Sequence, residues 1–248
     1  MRILTLLLVF AAVNPWAGRA NATGAATGAS GGGEGDRPAA DAARTVGVAP
    51  MAIGRLHYGG GGDWYANPTS LPNLLRAIRL QTGIPVSERE VVVRPLDAGL
   101  QDLVFVHMTG HGNVEFSPDE RRALRRWLEG GGFLHADDNY GMDAAFRREI
   151  SLLLPDAELV ELPADHPVYR VVNTFAEGLP KIHEHDGAPP GGYGIFLNGR
   201  LAVFYSHETD LGNGWEDADV HDLPDELREA ALGMGVNLFV YALTRRAS

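Results

Sequence analysis

The chain has 248 residues, a formal net charge of -11 and no cysteine. The acidity argues against nucleic-acid binding through a broad basic face and leaves room for a cationic partner or a bound metal. The missing thiol excludes disulfides, thiolate zinc sites, iron–sulfur clusters and cysteine nucleophiles, so any metal site must use His, Asp, Glu or backbone oxygen.

Residues 1–22 read as a secretory signal. Arg2 supplies the positive charge, Ile3–Val13 is an apolar run too short to span a bilayer, and Ala20-Asn21-Ala22 is a small-x-small cleavage site. Cleavage is expected after Ala22 or Ala20, with a periplasmic or secreted product. No later run approaches the ~18 apolar residues of a membrane span, so none is expected after cleavage. Residues 23–49 are rich in Gly, Ala and Ser and read as a disordered linker. Residues 50–248 are left as a single domain.

Met51–Tyr58 reads as a first strand running into the glycine loop Gly59–Gly62 and Asp63-Trp64-Tyr65. Thr69 or Ser70 is placed to cap a helix over Leu71–Gln81, stopped by Gly83. Glu90–Arg94 and Asp102–Met108 read as strands, the second ending in Thr109-Gly110-His111-Gly112. Ser117, Pro118 and Glu120 spell a capping box at the start of a helix that Gly130–Gly132 ends. Phe133–Ala136 is the next strand, breaking into Asp137, Asp138, Asn139 and Tyr140. Ala144–Leu154 reads as a helix and Glu158–Leu162 as a strand. Asn198-Gly199, between Tyr193–Leu197 and Arg200–Tyr205, signals a type I′ hairpin. A last helix covers Asp225–Thr244, with Gly233 and Gly235 allowing close packing. Alternating strands and helices predict an α/β fold with a mostly parallel sheet, helices on both faces, and a late antiparallel hairpin.

Polar clusters fall at the predicted strand ends, where ligands bind in open α/β sheets. His183-Glu184-His185-Asp186 has metal-ligand residue types, with both imidazoles on one face if the segment is extended. His135, Asp137 and Asp138 sit at a strand-to-helix turn and offer a metal ligand or a general base, the bland alternative being that Asp138 or Asp143 caps the next helix. Gly110-His111-Gly112-Asn113 offers backbone N–H groups to an oxyanion, or is simply a tight turn. Asp63, Trp64 and Tyr65, Asn139 and Tyr140, and Glu208, Asp210 and Trp215 are further candidates for ligand contact. No serine sits in a nucleophile elbow.

The segments RLHYGGGGDWYANPTSLPNLL (Arg55–Leu75), MTGHG (Met108–Gly112), GGFLHADDNYGMD (Gly131–Asp143), ELPADHPVY (Glu161–Tyr169), GLPKIHEHDG (Gly178–Gly187) and ETDLGNGWED (Glu208–Asp217) resemble the bacterial domain-of-unknown-function 4159 family across residues ~51–246. The resemblance implies a flavodoxin-like, class I glutamine amidotransferase-like fold akin to ThuA-like domains, and a place in the cell envelope. It implies no activity. Amidotransferases of that fold carry a cysteine on the elbow that Asp137-Asp138-Asn139 would occupy here, so thioester chemistry is impossible.

Two functional readings stay open. One is a ligand-binding or scaffold domain whose partner is a small molecule or an envelope protein. The other is a metal-assisted hydrolase of a carbohydrate-like or amide substrate. It would use His135, His183 and His185 with Asp137 around a divalent metal, and Asp137, Asp138 or Glu184 in catalysis. A third, purely structural use of these residues is a hydrogen-bond network that stiffens the loops.

Overall fold

A computed structural model of the chain describes residues 49–244. The expected signal and nearly all of the expected linker lie outside the described residues. Strands β1 (Ile53–Leu56), β2 (Val91–Val93), β3 (Phe105–Gly110), β4 (Phe133–Asp138), β5 (Val160–Glu161), β6 (Gly191–Leu197) and β7 (Arg200–His207) form one sheet, in the order β2-β1-β3-β4-β7-β6-β5. β1 runs parallel to β2 and β3, and β4 runs parallel to β3 and β7. β6 then turns antiparallel to β7, and β5 to β6. The parallel part follows the doubly wound pattern of flavodoxin-like folds, with the chain reversing its direction of travel between β1 and β3.

The α-helices among the described residues are α1 (Ser70–Thr82), α2 (Pro118–Glu129), α3 (Asp143–Leu153), α4 (Leu211–Trp215), the exposed α5 (Ala218–His221) and α6 (Asp225–Thr244). One apolar layer joins Leu71, Leu74 and Ile78 of α1 to Met234, Leu238 and Phe239 of α6 against Phe105, Phe133 and Phe204 of the sheet. The other joins Leu124, Trp127 and Leu128 of α2 to Phe146 and Ile150 of α3 against Val106, Leu134 and Val203. The central strands are therefore buried on both faces, as parallel strands between helical layers must be.

The local signals account for most element ends. Ser117 Oγ accepts the Glu120 N–H and the Glu120 carboxylate accepts the Ser117 N–H, which is the expected capping box. Ser117→Ala should cost about 1 kcal/mol of unfolding free energy in urea titration. An unchanged midpoint would show that tertiary packing alone starts α2. Asn198 (φ 52°) and Gly199 (φ 74°) both take the left-handed region that a type I′ turn requires. A Cβ on Gly235 would come within 2.6 Å of a Leu74 methyl carbon, which explains the glycine where α6 crosses α1. From Ala231 to Ala242, α6 is buried nearly all round rather than along one stripe. Its Asn237 is held at no exposure by N–H groups of Val172 and Asn173.

Three expectations need correction. β4 does not break after Ala136; it continues through both aspartates because Asp137 pairs with Thr109 and Ser206, and Asp138 with Gly110. The predicted strand Glu158–Leu162 shrinks to two residues at the sheet edge, where only β6 offers partners. Thr69 takes the N-cap position of α1, but neither its side chain nor that of Ser70 makes the capping hydrogen bond. Thr69 Oγ1 binds Glu216 Oε1 (3.1 Å), and Ser70 Oγ donates to the Asn67 carbonyl (2.6 Å). Among the described residues no helix is long and apolar enough to cross a membrane.

Candidate functional site

Parallel pairing sends the carboxyl ends of β1, β3, β4 and β7 to one edge, and the loops that follow them carry the polar clusters. The pleat sorts β4. Asp137 faces the α1/α6 layer and Asp138 the α2/α3 layer.

His183 and His185 lie on a loop, not a strand, yet both reach Asp210. His185 Nε2 is 2.5 Å and His183 Nδ1 3.5 Å from Asp210 Oδ2. One ligand atom from each of the three lies within 4.8 Å of the others. A tetrahedral ion with ligands at ~2.0–2.1 Å needs them about 3.3 Å apart, a small adjustment. Asp210 is fully buried, and its Oδ1 has no hydrogen-bond partner. A bare buried carboxylate oxygen costs on the order of 1–3 kcal/mol unless something else meets it. Burial pushes the Asp210 carboxyl up, while the His185 hydrogen bond and the charges of His185, His183 and His111 pull it back.

The surroundings hold this geometry. Asn213 Nδ2 donates to Asp210 Oδ2 (3.2 Å) and contacts His183 Nδ1 (3.3 Å). Its carbonyl accepts from Asn67 (3.0 Å), which also meets Asn139 (3.4 Å). Tyr140 stacks on His185 with centroids 4.4 Å apart. Asn67, Tyr140, Glu208 and Asp210 all adopt φ between 56° and 78°. Such left-handed non-glycine residues persist only where surrounding contacts over-determine them, and they gather at functional sites.

Beneath the loops runs a fully buried chain: His107, His135, Ser206, Asp137. The ring nitrogens Nδ1 of His107 and His135 are 3.1 Å apart, His135 Nε2 is 2.9 Å from Ser206 Oγ, and Ser206 Oγ donates to Asp137 Oδ1 (2.5 Å). One assignment of tautomers satisfies it: His107 Nδ1–H donates to His135, and His135 Nε2–H donates to Ser206. His107 Nε2 is then an unprotonated nitrogen, consistent with its lack of a partner. Asp137 also accepts the N–H groups of Leu211 (3.3 Å) and Gly212 (2.7 Å), fixing the start of α4. Burial pushes its carboxyl up to about 7 against those hydrogen bonds. Burial likewise drives His135 down to about 3 and His107 well below its ordinary value.

These contacts correct three sequence expectations. His135 is no metal ligand, because both its nitrogens are used inside the sheet. Asp137 is no accessible base, because it is sealed from solvent and already accepts three donors. Trp215 is no ligand platform. It is fully buried and donates Nε1–H to the Ala231 carbonyl (2.7 Å).

Asp138 belongs to another cluster, with Asp143 and His207. Here protein donors already meet the carboxylates: Met142 N–H binds Asp138 Oδ1 (2.9 Å), Tyr205 Oη shares its proton between Asp143 Oδ1 (2.9 Å) and Asp138 Oδ2 (3.2 Å), and Arg147 binds Asp143 Oδ1 (2.6 Å). Burial and both aspartates push the Tyr205 phenol up, so it remains a donor. This cluster fits a cation less well than the first. Glu184 is exposed and only 3.7 Å from Lys181, while Glu208 is buried against the same lysine (3.2 Å).

At the crevice between β1 and β3, the β1 loop pairs with the loop after β3 through Gly59–Glu115. A Cβ on Gly110 (φ 144°) would fall 2.2 Å from Tyr58 Oη, so only glycine admits this closeness. Asp63 accepts both the backbone N–H and Nδ1 (2.9 Å) of His111, so that N–H is not free for an oxyanion. Asn113 binds the Gly60 carbonyl and Arg148. Trp64 stacks on His57 at 4.0 Å, and Tyr65 is exposed. A groove of about 680 Å3 lies at the far edge, by Leu197 and Asn198, where Arg125 is already paired with both Glu129 and Asp156.

Sequence reading missed Asn67, Asn213, His107 and Ser206. Asn67 precedes a proline and Asn213 sits between glycines, so both resemble ordinary turn residues. A family model described as "Domain of unknown function (DUF4159)" matches residues 52–243. No curated protein matches the chain.

Proposed function

Since the chain belongs to the DUF4159 family, whose description names no activity, we propose that its domain binds a divalent cation, and through it a small polar ligand, at the carboxyl edge of the sheet. The observation that carries this reading is the His183–His185–Asp210 group with the unpartnered, buried Asp210 Oδ1. Two imidazoles and one carboxylate suit zinc or another late first-row ion, and three protein ligands leave a position open for a ligand. The rest of the proposal follows the N-terminal sequence and the strand order. Arg2 and the apolar run Ile3–Val13 support export to the periplasm or beyond, with an envelope partner in reach. The β2-β1-β3-β4-β7 order supports kinship with class I amidotransferase-like and ThuA-like domains.

The test is calorimetric titration of zinc chloride into chelator-stripped protein prepared without a histidine tag. One ion per chain is expected. Asp210→Asn should weaken binding by more than about 100-fold, since even outer-shell partners are worth ~10–100-fold. Asn tolerates the left-handed backbone of position 210, so the fold should survive, as circular dichroism would show. Wild-type protein that takes up no zinc, or a variant that binds it as well, would sink the proposal.

A further inference from the structure

We propose that Asp63 and His111 form the orienting group and general base of a hydrolytic site whose other half is the His183–His185–Asp210 centre, and that the substrate is an acyl group carried on a sugar-like polyol. The inference rests on the cation reading above and extends it to chemistry.

The geometry has three parts. Asp63 Oδ2 holds His111 Nδ1 at 2.9 Å, and the same carboxylate takes the His111 backbone N–H. Such a double hold fixes the ring and its tautomer and leaves Nε2 available, on a side chain that is 52% exposed. Second, β3 and β4 are in register with Gly110 opposite Asp138. Gly110 and Asp138 are the last paired residues, so His111 and Asn139 leave adjacent strand ends at the same edge of the sheet, and Tyr140, next after Asn139, stacks directly on His185. The pair and the cation centre thus both lie at the carboxyl edge. Third, the crevice between β1 and β3 is where the sheet reverses winding, the usual ligand position in this class of fold.

The substrate class follows from what lines the edge. Tyr65 and Tyr140 are 63% and 48% exposed, and Trp64 lies flat on His57. Rings of this kind offer broad apolar faces with a polar rim, suited to the C–H faces of a sugar. The fixed charges are mostly carboxylates: Asp63, Asp138, Asp143, Glu208 and Asp210. The nearby cations Lys181, Arg147 and Arg148 are each tied to a carboxylate. That field repels phosphate esters and admits neutral acyl esters or acetamides.

A divalent ion at the centre would polarise the acyl oxygen and acidify a water. His111 Nε2 takes a proton from the attacking water as its oxygen bonds to the acyl carbon. The bond from that carbon to the sugar oxygen or nitrogen then breaks, and the proton passes from Nε2 to the departing atom. Water is consumed, and a carboxylic acid and a free hydroxyl or amine result.

The experiment follows acetate release from acetylated xylotetraose and from N,N′-diacetylchitobiose by zinc-loaded protein, with p-nitrophenyl phosphate as a third substrate. Release from either acetylated sugar is expected, and the two arms tell ester from amide. His111→Ala should bind zinc normally and lose ~10²–10⁴-fold in kcat. Asp63→Asn should lower kcat with little change in KM and move the pH profile, and Asp63→Glu should restore part of the rate. Zinc binding without acetate release overturns this inference alone, as does turnover of the phosphate ester only or a fully active His111→Ala. Failure to bind zinc removes the cation reading and this one with it.

Discussion

Trp215→Ala should lower the unfolding free energy by about 3–5 kcal/mol, read as the midpoint shift in urea denaturation. The indole is fully buried, and its ring lies 5.2 Å from His107 and 5.6 Å from His135. Truncation opens a cavity between α4, α6 and the sheet and strips the Ala231 carbonyl of its donor. For a domain of ordinary stability, ~5–15 kcal/mol, that is a large fraction of the whole. Trp215→Phe should cost less, because one aromatic ring still fills most of the space, though the second ring and the hydrogen bond are lost. The effect should reach the cation centre, since Trp215 ends the helix whose first N–H groups bind Asp137 and whose preceding residue is Asp210. A stable Trp215→Ala with impaired ligand binding would instead restore Trp215 as a surface platform, the role its sequence neighbours suggested.

The misreading of Trp215 shows where sequence patterns stop. In ETDLGNGWED it stands among polar residues and glycines, with no periodic apolar partners. Its burial comes from α6 folding back over α4, a contact between segments joined by a second short helix. The fold was legible where signals are local. Ser117-Pro118-Glu120 starts α2, Asn198-Gly199 turns the hairpin, and Asp225–Thr244 has the bounds expected of it. β4 was cut short at Ala136 because two adjacent aspartates argue against a strand. Hydrogen bonding from neighbours on both sides overrides that local preference.

The candidate site divides the same way. His183 and His185 were visible as a short motif, and Asp210 as one acid among several. What joins them is the return of the chain after β7, which no spacing encodes. His135 looked like their partner because it begins HADDNY. Strand pairing instead sets it beside His107 and Ser206, three residues from three separate strands of one sheet face. The Asp63–His111 pair needed the β1 and β3 loops to meet across the reversal in winding, and the residues are 48 apart in the chain.

The buried histidines set a pH dependence of unfolding. An unfolded histidine has a pKa near 6.5, whereas His135 falls to about 3 and His107 well below its ordinary value in the folded chain, both chiefly by burial. Below pH ~6.5 the unfolded state binds protons that the native state refuses, so stability is lost on acidification by ~1.4 kcal/mol per pH unit for each histidine. Asp137 works in the opposite sense. Its native pKa of about 7 lies above the unfolded value, so between roughly pH 4 and 7 the native state holds the extra proton and stability rises as pH falls. Asp138 and Asp210, also raised, add to that opposition toward the ordinary carboxyl range. The two histidines outweigh Asp137 by about one proton near pH 5, for a net loss of about 1.4 kcal/mol per unit of acidification there, and the slope fades toward pH 6.5, where the unfolded histidines are half protonated. Urea unfolding across that range measures the slope directly. His107→Asn removes one of the two histidines, and the slope should then fall to near zero. A slope that persists in the variant would mean that the pair is not the source. The link to function is structural: Ser206 bridges His135 to Asp137, and Asp137 anchors the N–H groups just after Asp210. The native histidines stay neutral over this interval, so α4 stays fastened in the folded chain and the acid acts by drawing the protein toward the unfolded state.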